Sequence, residues 1–121
     1  MPDKEQLTWN LALQITGGPV VAAGDSLAIG GYEKYRVIIA DGASGVARIG
    51  DAGGVQFVAL VPGTPHESLT YKVGAEDIKL DRAQVFAGEG AVSFIEDAFP
   101  EFTFDNDTGA EAVIDVLVAR L

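Results

Sequence analysis

Between Leu7 and Thr16 the chain reads LTWNLALQIT, and its large apolar residues fall on every second position. Leu7, Trp9, Leu11, Leu13 and Ile15 share one parity, while Thr8, Asn10, Ala12, Gln14 and Thr16 share the other. Side chains along a strand alternate between two faces, so this segment is predicted to be a β-strand with one apolar face. A helix would scatter the same residues around its circumference. A strand of this kind must lay its apolar face on a second layer, and Trp9 is expected in the core so formed.

Strand-like runs recur along the rest of the chain, at Pro19–Ala23, Tyr32–Ala40, Val46–Ile49, Val55–Val61, Ser68–Val73, Ala83–Phe86, Ala91–Ile95 and Phe102–Phe104. Clusters of turn formers separate them, among them ITGGP, DGASG, GDAGG, PGTPHE and DNDTG. Many short strands at this spacing predict an all-β fold. An antiparallel two-sheet sandwich is expected, with a jelly roll as one form of it and an open β-barrel as the alternative. No linker or repeat divides residues 1–121, so one domain is expected. Gly74–Arg82 reads as one helical turn or as a loop crossing the end of the sandwich. In Ala110–Leu121, Thr108 and Glu111 could cap a helix. Four β-branched residues, Val113, Ile114, Val116 and Val118, favour a strand there instead.

Charge narrows the partners. Eight Lys and Arg stand against 18 Asp and Glu, a formal net charge of −10. Such a surface repels nucleic acid and anionic membranes, which need clustered cations. No apolar run reaches the length of a membrane-spanning helix, and the start MPDKEQ lacks the apolar stretch of a signal peptide. A cytoplasmic or virion setting is the expectation. Cysteine is absent, which removes disulfides, thiolate metal sites and cysteine nucleophiles together.

Gly24-Asp25-Ser26-Leu27 resembles the opening block of the GDSL (SGNH) esterases, in which the serine is the nucleophile. That resemblance implies two further blocks, Gly-x-Asn-Asp and Asp-x-x-His. Here Asn106-Asp107 has Phe104 where the glycine should stand, and His66 has Gly63 where the aspartate should stand. A nucleophile without a base and oxyanion donors does no chemistry, so Ser26 is read as a turn residue and a small serine hydrolase as the least favoured function. His66, in the loop Pro62–Glu67, is read as solvated rather than catalytic.

Asp105, Asp107 and Glu111 stand at odd spacing around Gly109, the kind of run whose oxygens converge on calcium. They are the candidate metal ligands, and calcium is the candidate cofactor. The competing reading is an acidic hairpin loop. Asn106-Asp107-Thr108 matches a glycosylation sequon that has no role without a secretory signal. Tyr32, Tyr35 and Tyr71 could stack on sugar rings, which makes a carbohydrate-binding module the alternative function, although Tyr35 shares parity with Val37 and Ile39 and is expected to point inward.

Several strands are apolar on both parities. Val55, Phe57, Ala59 and Val61 share one face while Val58 and Leu60 share the other, and Val37–Ile39 and Val113–Val118 behave alike. A two-layer sandwich covers only one face of each sheet, so these outer faces are expected to be covered by a second copy or a larger assembly. An acidic, glycine-rich, cysteine-free β domain of this kind is similar to small virion proteins of tailed phages, which decorate capsids or join tail parts. That similarity implies a non-catalytic structural module working through oligomeric or lattice contacts.

Overall fold

A computed structural model describes residues 5–121 of the protein. Ten strands form a long two-stranded ribbon and two four-stranded antiparallel sheets. The ribbon pairs β1 (Glu5–Gln14) with β2 (Val20–Ile29). The first sheet has the order β3-β10-β5-β8, from Gly31–Ile39, Ala112–Arg120, Val55–Pro62 and Gln84–Ala87. In the second the order is β4-β9-β6-β7, from Ser44–Arg48, Glu101–Asn106, Leu69–Val73 and Glu76–Lys79. The chain crosses between the sheets at almost every connection, and the two orders together are those of an eight-stranded jelly roll. The sandwich is open at its sides and forms no closed barrel.

Its core is built by alternation. Ile114, Val116 and Val118 of β10 face inward, as do Val58 and Leu60 of β5, and all five are buried. Opposite them lie Phe102 and Phe104 of β9 with Tyr71 of β6, whose rings pack edge-on or tilted at centroid distances of 5.9 and 6.2 Å. Each such side chain contributes roughly 1.5–3 kcal/mol by leaving water. The C-terminal segment is a strand, as its β-branched residues favour, and it holds the central position between β3 and β5.

Four local expectations are corrected. Ala91–Ile95 is not a strand: a short helix α1 (Glu89–Val92) runs into a 3-10 turn at Ser93–Ala98, which turns Val92 and Ile95 into the core. Gly74–Arg82 contains neither helix nor plain loop but β7, the partner of β6. Val55 leaves the face of Phe57, because the register shifts between Ala119 and Arg120 and sends Val55 into the main core. The fourth concerns Ser26, expected in a turn at Ala23–Ser26, which is not a turn. The strand runs unbroken through it, with Gly24 opposite Asn10 and Ser26 opposite Thr8. Gly24 is needed for closeness: a Cβ there would lie 2.7 Å from Asn10 Oδ1.

The two outer faces differ. On the second sheet the outward residues include Arg48, Thr70, Lys72, Glu101 and Thr103, a polar surface apart from the exposed Val46. On the first sheet they include Ile38, Val61, Ala59, Leu117 and Phe57, beside Tyr32, Lys34, Arg36 and Asp115. The three strands that are apolar on both parities are therefore neighbours in one sheet, and their second face is an outer one.

Candidate functional site: an uncharged apolar arm

The ribbon covers one end of that outer face. Leu7, Trp9, Leu27 and Ile29 at its base pack on Phe57, Ala59, Ala119 and Leu117, forming a small cluster separate from the main core. Trp9 lies here, its ring 6.3 Å from that of Phe57. It is half-buried between ribbon and sheet, not inside the sandwich as its parity suggested, because the face it shares is applied to the outside of a finished sheet. Its indole N–H is enclosed without a hydrogen-bond acceptor. At Gly30 the chain turns from ribbon into body with its backbone N–H bonded to Arg120 O at 2.8 Å. A Cβ at Gly30 would meet the Leu121 backbone at 2.6 Å.

Beyond this base the ribbon leaves the body. At about 3.3 Å per residue each ten-residue strand is roughly 33 Å long, and only its basal half is supported. The apolar parity continues regardless. Leu11, Leu13 and Val21 are 45, 53 and 60 % exposed, and Ile15 and Val20 at the turn are exposed as well. The register Leu11↔Ala23 and Leu13↔Val21 puts them on the same face as Leu7 and Trp9. From Gln6 to Gly24 there is no charged residue, although charged residues make up 21 % of the chain. Neither strand pairs with any other among the described residues, so both edges of the arm are open. Exposed edges are normally blunted by lysines, prolines or inward charges, and the strands of this arm carry none between Gln6 and Gly24.

The other candidate residues are placed differently. Ser26 lies mid-strand on the polar face of the arm, 3.1 Å from Thr8 Oγ1. The His66 ring Nδ1 accepts the Ser68 backbone N–H at 3.0 Å, and Ser26 and His66 make no hydrogen bond to each other. Asp105, Asp107 and Glu111 do not converge. Because β9 continues through Asn106, Asp105 keeps to the outer face and accepts the Ser44 hydroxyl, while Glu111 lies across the turn near His66. Among the described residues no three His, Cys, Asp or Glu side chains are grouped to hold a metal ion.

The organising residue of that turn is Asn106, which in the sequence stands out only as part of an Asn-Asp pair and a sequon. It is 1 % exposed. Its amide Nδ2 donates to the carbonyls of Ile39, Ala40 and Ala110 at 3.0, 3.3 and 2.8 Å, and its Oδ1 accepts the Thr108 backbone N–H and hydroxyl. The sequon asparagine thus has its side chain committed inside the fold. Of the tyrosines, Tyr71 is buried and Tyr35 half-buried, so only Tyr32 presents a ring to solvent.

An apolar recess of about 430 Å³ opens between Tyr71, Ile78, Phe86 and the exposed Phe94. The Tyr71 hydroxyl donates to Gln84 Oε1 at 2.6 Å, and burial pushes its phenol up to about 12. With no charged lining residue and its one hydroxyl so engaged, the recess offers apolar surface and no reactive group. No helix among the described residues is long and apolar enough to cross a membrane. Comparison with family models, curated proteins and solved structures finds no match.

Proposed function

We propose that the protein is a non-catalytic assembly module that joins itself or a larger protein lattice through its β1–β2 arm. The observation that carries this is the distal arm: an unsupported two-stranded ribbon with an apolar face, open edges and no charge, on a chain of net charge −10. A lone two-stranded ribbon is marginal in water, so an arm of this length gains its order from something laid against it. Covering a few hundred Å² of its apolar surface is worth several kcal/mol at ~25 cal/mol per Å², before the cost of association. The jelly-roll body and acidic remainder are similar in build to small phage virion proteins, and a virion lattice is the setting proposed for it.

Replacing Leu11 and Leu13 together by aspartate tests this. Both side chains are exposed, so the body should melt within a few degrees of the parent. Light scattering should show that the native mass has fallen to that of one chain. An unchanged assembly would remove the arm from the account. A glycan-binding role rests on Tyr32 alone and is not favoured by the arrangement.

A further inference from the structure

We infer that the acceptor of the arm is the outer face of the β3-β10-β5-β8 sheet on a second copy of the chain. This rests on the assembly reading above and names its partner. Within one molecule the arm's base already packs on this same sheet face through Leu7, Trp9 and Leu27. Leu11, Leu13 and Val21 repeat that residue chemistry at the same parity farther out, where the molecule's own sheet no longer reaches them. The sheet, for its part, is left partly bare. Past the strip under the arm's base, Ile38 and Val61 are 61 and 41 % exposed and flank the half-buried Val113. One molecule thus carries an apolar ribbon without a bed and an apolar bed without a ribbon, both continuous with a contact it already makes.

Charge does not oppose a second copy at this contact. Two chains of net charge −10 repel each other over most of their surfaces. From Gln6 to Gly24 the arm has no charge to oppose the approach. On the bare part of the sheet Arg36 and Asp115 neutralise each other at 3.0 Å, and the exposed Lys34 beside Leu117 adds one positive charge. Donor and acceptor are different surfaces, so each copy gives one arm and receives one. Such a head-to-tail contact closes into a ring or continues as a filament.

The absence of cysteine makes the contact directly testable. Leu13→Cys is prepared in one chain and Val61→Cys in a second, size-tagged chain, and the two are mixed and oxidised under mild conditions. The expected result is a disulfide-linked pair of one tagged and one untagged chain, formed faster than either like pair. Ile38→Cys in place of Val61→Cys gives an independent second acceptor and should also cross-link. Melting temperatures near that of the parent confirm that each variant is folded. Like pairs of Leu13→Cys alone would overturn the acceptor and leave the assembly reading standing, with arms packed on arms. A native mass above one chain with no cross-link from either acceptor would overturn the acceptor too. A single-chain mass for the parent would overturn both.

Discussion

Replacing Asn106 should cost the fold more than any other substitution of a polar side chain described above. Its side chain makes five hydrogen bonds, three donated and two accepted, and it ties β9 to the end of β3 and to the turn before β10. Asn106→Ala removes all five. A net hydrogen bond is worth about 0.5–1.5 kcal/mol, and a buried group left unpaired costs about 1–3 kcal/mol. Ala40 and Ala110 are exposed, so water can reach their carbonyls, whereas Ile39 is buried and its carbonyl loses this donor with no access to water. The expected loss is therefore about 2–4 kcal/mol, a large share of the ~5–15 kcal/mol that holds a domain together. Asn106→Asp is the sharper probe. At neutral pH it sets a carboxylate, which cannot donate, against three carbonyl oxygens, so it should be worse than alanine. Burial and those carbonyls raise the new acid's pKa above its unfolded value. Its protonated form is favoured in the fold, so the variant's deficit shrinks as pH falls and grows as pH rises through the folded pKa. Urea denaturation of both variants at pH 7 and near pH 4.5 reads this out. An alanine cost below about 1 kcal/mol, or an aspartate deficit that ignores pH, would refute the reasoning.

Two further outcomes follow from single side chains. Tyr71 is raised from 10.0 to about 12 by burial, so its contribution is complete below pH 10 and lost as pH climbs toward 12. Tyr71→Phe should remove that alkaline limb while costing about 1 kcal/mol at pH 7 for the lost bond to Gln84, measured by denaturation across pH. Ser26→Ala takes one exposed hydroxyl from the arm and should cost under about 1 kcal/mol while leaving the native mass unchanged, as urea melts and light scattering would show.

The period-two runs made the sandwich legible, because each strand's parity had to match a buried face. The β-branched residues of the last segment likewise pointed to a strand, and that strand became the centre of the first sheet. Legibility failed where tertiary contact overrode local pattern. Gly24-Asp25 looks like a turn in isolation, but ten-residue pairing with β1 supplies a partner at every position and draws the chain straight. Trp9 was read to the correct face and the wrong layer, since parity says which residues are covered together and not by what. The apolar outer faces of Val55–Val61, Val37–Ile39 and Val113–Val118 were visible, yet part of their cover is the chain's own arm. Asn106 gave no sign because its partners are backbone carbonyls distant in sequence, and the acids beside it drew the eye to a cation.

The most direct test of assembly through the arm is the native mass of the unaltered protein by sedimentation at low and high salt. Screening weakens repulsion between chains of net charge −10, so an apolar contact should tighten as salt rises. The expected result is a multiple of the 12.6 kDa chain at micromolar concentration, with the multiple held or increased in high salt. A sharp 12.6 kDa species at high micromolar concentration in both buffers would contradict self-assembly.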